Sequence, residues 1–194
     1  MNVRNSSTKI VILLLISLMA LTSCNVIGFN RVRGSGNIVS ESREVSDFHA
    51  IDMSGTGDLI VTQGDTESLV IEADDNLMQY LESEVVNGTL QLGYEGSFQL
   101  NLDPTERIQY ILTVIDLDEV SISGSGTMIA EELESEDLIL DASGSGEFRI
   151  DNLNADSLRL TFSGSGEAEI AGMVSHQEIR ISGSGNYNAE DLAS

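Results

Sequence analysis

Few side chains in this sequence are equipped for chemistry. It carries one cysteine, Cys24, two histidines, His49 and His176, and 32 acids against nine Lys and Arg. Catalysis by a nucleophile, acid or base requires such groups to converge. His49 precedes an alternating apolar stretch and His176 falls between two others, so both read as solvent-facing polar residues. The acids are scattered. Glu147 and Glu167, one repeat apart, come nearest to the carboxylate pair of a polysaccharide hydrolase or lyase. A polar residue follows each Gly-Ser-Gly or Gly-Thr-Gly triplet, at Asn37, Asp58, Thr127, Glu147, Glu167 and Asn186. Stacked as a column, these would offer oxygen ligands, with Asp58, Glu147 and Glu167 the candidates for Ca²⁺. The nine-residue Gly-Gly-x-Gly-x-Asp repeat of calcium solenoids is missing, which weighs against that use. A phosphate-cradling loop needs a Lys and a helix after its glycines, and no Lys follows Lys9. The sequence therefore predicts no catalytic residue and no cofactor.

The triplets themselves are the stronger signal. Ser-Gly-Ser-Gly begins at 123, 143, 163 and 182, a spacing of 20, 20 and 19. Gly34-Ser35-Gly36 and Gly55-Thr56-Gly57 are two earlier copies. Before each triplet, apolar residues alternate with polar ones: Ile51 and Met53, Val120 and Ile122, Leu140 and Ala142, Leu160 and Phe162, Ile179 and Ile181. Alternation resumes after it at Ile38, Leu59, Met128, Phe148, Ala168 and Tyr187, then at Ser40, Val61, Ala130, Ile150, Ile170 and Ala189. Leu133, Leu153, Met173 and Leu192 form a last column. Period two is a half-buried strand, and a period near 20 residues is a repeat architecture. One such unit cannot bury its apolar face, but stacked units can. The expectation is an all-β fold, a parallel β-helix or related β-solenoid over 34–194, with each triplet at a corner. Gly34, Gly36, Gly55, Gly57, Gly124, Gly126, Gly144, Gly146, Gly164, Gly166, Gly183 and Gly185 are the expected corner residues. Glycine accepts positive φ, and stacked corners about 4.8 Å apart leave little space for side chains. Serine hydroxyls aligned up such a column could hydrogen-bond from rung to rung.

Residues 62–118 break the period. Leu69–Ala73 and Ile108–Val114 read as strands. Asp74–Glu82 reads as a short N-capped helix with Leu77, Tyr80 and Leu81 on one face. Asn87-Gly88 suits a tight hairpin turn between Glu84–Val86 and Thr89–Leu92. This insert is expected to pack on, or extend, the first rungs.

The N-terminus is an address. A basic start precedes the 12-residue apolar run Ile10–Leu21, too short for a comfortable membrane span and suited to a signal-peptide core. Leu21-Thr22-Ser23-Cys24 then resembles the bacterial lipobox, which implies a signal peptide over 1–23 and a lipidated Cys24. Residues 24–33 would be a tether to the domain. Asn25 is not Asp, so nothing argues for retention at an inner membrane. With no second Cys, no intramolecular disulfide can form.

Formal net charge is −23, and it becomes −25 from Cys24 onward because Arg4 and Lys9 lie upstream. Such a surface repels nucleic-acid backbones and bare anionic lipid. It is compatible with divalent cations or basic partners, and also with plain solubility.

These stretches together resemble the putative auto-transporter adhesin, head GIN domain family. The resemblance rests on Gly34–Asn37 with Phe48–Ile51, on Gly55–Gly64, on Ile71–Leu77, on Asn87–Leu90 and on the serial Ser-Gly-Ser-Gly copies. It implies an exported or lipid-anchored bacterial β-solenoid with no catalytic residues to carry over. Members usually continue through further Ser-Gly-Ser-Gly rungs, whereas this sequence stops at Ser194, so its last rung is expected to fray or self-associate. Three functions stay open: a lipid-anchored, non-catalytic surface module that meets an envelope protein or a surface glycan; a structural or sensory accessory to another envelope protein; and a carbohydrate-active enzyme. The absence of Trp weighs against a glycan-stacking stripe.

Overall fold

A computed structural model describes residues 30–94, 100–189 and 191–193. Fourteen strands follow in chain order: β1 Asn30–Arg33, β2 Ile38–Arg43, β3 Ala50–Gln63, β4 Ser68–Asp74, β5 Leu81–Val86, β6 Thr89–Tyr94, β7 Leu100–Asp103 and β8 Gln109–Val114. Then come β9 Glu119–Ala130, β10 Leu133–Gly144, β11 Glu147–Gly164, β12 Glu167–Gly183, β13 Asn186–Asn188 and β14 Leu192–Ala193. The chain is all-β, and twelve strands form one mixed sheet that does not close on itself.

Alternation is obeyed along the repeats. Ile51, Met53, Val120, Ile122, Leu140, Leu160, Phe162, Leu59, Met128, Phe148, Ile150 and Ile170 are all at most 1 % exposed and form one core. Each turns inward because its neighbours in sequence point out. Consecutive repeats pair in parallel, so each inward residue stacks on its equivalent: Val120 on Leu140, Leu140 on Leu160, Leu160 on Ile179. Phe148 and Phe162 meet inside with ring centroids 6.1 Å apart and planes tilted by 35°, within the range of a favourable aromatic pair.

The odd spacing of the last repeat has a local cause. Ile150 faces Ile170, but Leu153 faces Gly172, so β12 is one residue shorter than β11 at this bend. The deletion moves Met173 out of the Leu133–Leu153 column, and Met173 is 62 % exposed. Gly172 takes its place at φ +125°, where a Cβ would lie 2.1 Å from the Leu153 carbonyl oxygen.

The insert joins the stack as expected, by a split strand. One edge of β3 pairs with β9 along most of its length. The other edge takes β6 against Ala50–Met53 and β8 against Asp58–Gln63, both parallel. Antiparallel strands then cover this end: β4 lies on β8, β2 on β4, and β5 on β6. The β5–β6 hairpin turns at Asn87 (φ 53°) and Gly88 (φ 82°), the double left-handed geometry that Asn-Gly favours.

Three expectations are corrected. The helix over 74–82 is a single 3₁₀ turn at Met78–Tyr80. Asp74 does not cap it, because its carboxylate is spent on Gly36 and Thr105, as described below. The first triplet is not a corner of the stack, since the chain leaves it into β2, which runs antiparallel beside β4. Gly34 and Gly36 therefore stand outside the glycine column, and Ile38 is 37 % exposed. The tether is shorter than 24–33: residues 30–33 are β1, paired in parallel with β7. Cys24 and the expected signal peptide over 1–23 lie outside the described residues.

Candidate functional site

The corners form an unbroken column. Gly55, Gly124, Gly144, Gly164 and Gly183 stand in register, each at positive φ. A Cβ on Gly144 would sit 2.6 Å from the Gly124 carbonyl oxygen, and one on Gly164 2.2 Å from that of Gly144. The second glycine of each triplet is there for a different reason. It faces inward, where a Cβ on Gly166 would meet the Phe162 ring at 2.4 Å. Conformation demands the first glycine and interior volume the second. Backbone bonds climb the column: Ser145 N–H donates to Gly124 C=O and Ser165 N–H to Gly144 C=O, both at 2.7 Å. The paired serines of each corner project outward and are exposed.

Beside the corners, Asp58, Thr127, Glu147, Glu167 and Asn186 do align as one column. Asn37 is absent from it, for the reason that removes Gly34 and Gly36. Its acids do not converge on a cation. Arg107 pairs with Asp58 at 2.6 Å and donates to the Thr127 hydroxyl at 3.2 Å. Arg149 holds Glu147 at 2.5 Å, and Asn186 Nδ2 donates to Glu167 at 3.3 Å. The bond and charge of Asp58 raise the Arg107 pKa, and those of Glu147 raise that of Arg149. Among the described residues no group of three or more His, Cys, Asp or Glu is placed to hold a metal ion. Asp58 and Glu167 thus tie neighbouring segments together, while Glu147 is held by Arg149 along its own strand. His49, in the bend before β3, and His176, on β12, are both exposed and lie on different segments.

One carboxylate escaped the sequence reading. Asp74 has no exposed surface. It accepts from Gly36 N–H (2.7 Å), Thr105 N–H (2.9 Å) and Thr105 Oγ1–H (2.7 Å). Burial pushes its pKa up, but the bonds from Thr105 and Gly36 outweigh this and hold it below the usual carboxylate range. The adjacent Asp75 accepts from the Ser35 hydroxyl (2.5 Å) and Asn37 Nδ2 (3.0 Å). The two acids fasten the Gly34–Asn37 loop and the Thr105 loop over the antiparallel end. An Asp-Asp pair before apolar residues has the sequence signature of a helix start, and no local signal reveals donors some 31 to 38 positions away.

Stacked parallel strands, a column of corner glycines and a polar face beside it define an all-β scaffold, and the described residues bring no group of three or more His, Cys, Asp or Glu together to hold a metal ion. Residues 47–194 match the putative auto-transporter adhesin, head GIN domain family, and the chain belongs to that family. A putative lipid binding protein from Parabacteroides distasonis ATCC 8503 is similar in structure, with 25 % identity and a TM-score of 0.71 over 84 % of this chain and 78 % of that one. A putative adhesin from Parabacteroides merdae ATCC 43184 shares the fold at 21 % identity and TM-score 0.58, over 82 % of this chain and 83 % of that one. So does a putative adhesin from Bacteroides fragilis NCTC 9343, at 16 % and 0.56, over 81 % of this chain and 99 % of that one. A search of curated proteins finds no match.

Proposed function

We propose that the chain is a lipid-anchored, non-catalytic protein of the bacterial cell envelope that presents a short acidic β-solenoid as an adhesin-like interaction module. The observation that carries this reading is the closeness of anchor and sheet. Five residues separate Cys24 from β1 at Asn30. Even fully extended, that connection reaches only about 20 Å. A diacylglyceryl group on Cys24 would therefore hold the sheet beside the membrane, with additional acyl chains making the anchor stable. Membership in a family described as a putative auto-transporter adhesin agrees with this placement. The ligand class is an envelope protein or a surface glycan, and the negative charge disfavours nucleic acid.

The test is Cys24→Ala in the producing bacterium, followed by fractionation. The parent should partition with membranes and the variant with the soluble exported fraction. Equal membrane association of the two would refute the anchor. The accessory-protein reading gains support from one specific feature, the aliphatic row described next. No observation favours the enzyme reading.

A further inference from the structure

Four strands break the alternation in the same place. Leu59-Ile60-Val61, Leu69-Val70-Ile71, Tyr110-Ile111-Leu112 and Met128-Ile129-Ala130 are each three apolar residues in a row. The outer two of each triplet are buried, and the middle one turns away from the core. Those middle residues are in lateral register: Val70 beside Ile111, Ile111 beside Ile60, Ile60 beside Ile129. The result is an aliphatic row crossing four adjacent strands on the outer face, about 14 Å long at the usual strand spacing. Ile111 is 37 % exposed and the others are half-buried.

Strand propensity alone does not account for the row. The next two strands continue the same register with Arg149 and then Glu169, and they pair just as regularly. A strand in this fold accepts a charged residue at this position, so four β-branched aliphatics side by side need another reason.

At its Ile60–Ile129 end the row opens into a groove of about 650 Å³, rimmed by Asp65, Glu131, Glu132 and Glu134. No cation lines it. The six ion pairs among the described residues use none of these four carboxylates. The charge selects the occupant. A second copy of a chain at −23, or an anionic lipid surface, would be repelled, whereas a cation-flanked apolar segment gains both area and charge.

We infer that this row and groove are a docking surface for a cationic amphipathic segment of another protein. Its aliphatic stripe covers Ile60, Ile111 and Ile129, and its Lys or Arg flank meets the acidic rim. The inference deepens the accessory reading by naming the partner's chemistry, and it does not depend on the anchor at Cys24.

The probe is a fluorescent 14-residue amphipathic Leu/Lys peptide, titrated by anisotropy against the full-length protein in the presence of phosphatidylcholine nanodiscs, whether or not the protein is anchored in them. Empty nanodiscs serve as the blank, and a scrambled peptide of the same composition as the control. The scrambled peptide should bind at least tenfold more weakly. Ile60→Thr with Ile111→Thr, which keeps β-branched residues on the strands, should raise Kd about tenfold, equivalent to about 1.4 kcal/mol. Ile111→Lys, at the most exposed position, should do the same and serves if the double variant melts early. Glu131→Gln with Glu132→Gln and Glu134→Gln should weaken binding three- to tenfold and flatten its salt dependence. Equal binding of the scrambled peptide would reduce the effect to bulk charge and overturn the inference. Unchanged Kd in the isoleucine variants, or binding no greater than to empty nanodiscs, would overturn it as well.

Discussion

The stack has two ends built on opposite principles. At the β8 end, the rung edge is covered by antiparallel strands, and Asp74 and Asp75 fasten loops over it. At the β12 end, Glu178–Gly183 pairs with β11 on one side, and the described chain adds only the short β13 and β14, against Glu167–Glu169 and Gly172–Met173. One inward column is sealed along the stack and open at the β12 end: Met53 and Phe162 are 0 % exposed, while Ile181, which stands on Phe162, is 42 % exposed. Parallel stacking repeats itself without limit and supplies no terminus of its own. An end must be closed by a different kind of pairing. The covered end shows that closure comes from reversing strand direction and from long-range hydrogen bonds to buried acid.

The largest effect that tests this contrast comes from the corner glycines. Gly144 has a rung on each side and φ +108°, so Gly144→Val should cost about 4 kcal/mol through backbone strain and the clash with the Gly124 carbonyl. Gly183 stands at φ +130° in the last rung. Its strand edge can move outward, so Gly183→Val should cost about half as much. Urea midpoints measure both. Equal losses would mean that the open end is held as firmly as the interior.

Core truncation should follow the same gradient. Phe162→Ala removes a ring with no exposed surface and should cost about 3–4 kcal/mol. Ile181→Ala, at 42 % exposure, should cost about 1 kcal/mol. Hydrogen exchange gives the independent check. Amides of Ile179–Ala189 should exchange well before those of Leu138–Ile150, which have paired neighbours on both sides. Comparable protection in a monomer would show the open end to be closed by something other than strand pairing.

How much of this was legible beforehand depends on the range of the interaction. The inward columns, the five corner glycines from Gly55 to Gly183 and the Asn87-Gly88 turn are written in local pattern, and the structure places them where the pattern points. The first triplet misled because Gly34-Ser35-Gly36 has the corner's composition but not its surroundings. Its conformation is fixed by Asp74, 38 positions from Gly36. Met173 misled because a one-residue deletion inside a bend leaves no mark in a column counted from the corner. The polar column beside the corners was legible in its alignment but not in its partners: register is periodic, whereas Arg107 reaches Asp58 from 49 residues away. The aliphatic row was also present as four apolar triplets, yet its lateral register required knowing that β8 sits beside β3.

A smaller effect probes the covered end through pH. The native pKa of Asp74 is depressed, so its contribution is present above the unfolded carboxylate value, about 3.9, and is lost as pH falls through the native value. Asp74→Asn keeps an acceptor for part of the donor set and no longer titrates. It should cost about 2 kcal/mol at pH 7. The loss of stability between pH 5 and pH 2 should be smaller in the variant than in the parent. An identical pH slope would show that the latch around Gly36 and Thr105 does not depend on the Asp74 charge. The same substitution should leave exchange at Ile179–Ala189 unchanged, since the two ends share no contact through this group.

The smallest effect belongs to the serine column. Ser123, Ser143, Ser163 and Ser182 stand in register on the outside, with Ser125, Ser145, Ser165 and Ser184 across the corner glycine. Stacked hydroxyls invite the idea of a ladder worth about 1 kcal/mol per bond. Among the described residues, however, no hydroxyl-to-hydroxyl bond links these serines. The bond that crosses the corner is Ser145 N–H to Gly124 C=O, which any residue with an N–H can make. The β3 rung already carries Thr56 at the place of Ser145, in register with Ser125. Small size and exposure, not the hydroxyl, account for serine here. Ser145→Ala should therefore shift stability by less than about 0.5 kcal/mol, and Ser184→Ala at the open end by no more. A loss near 1 kcal/mol confined to Ser145→Ala would restore the ladder and make the interior corners side-chain-bonded as well as backbone-bonded, which would widen the difference between the interior and the open end.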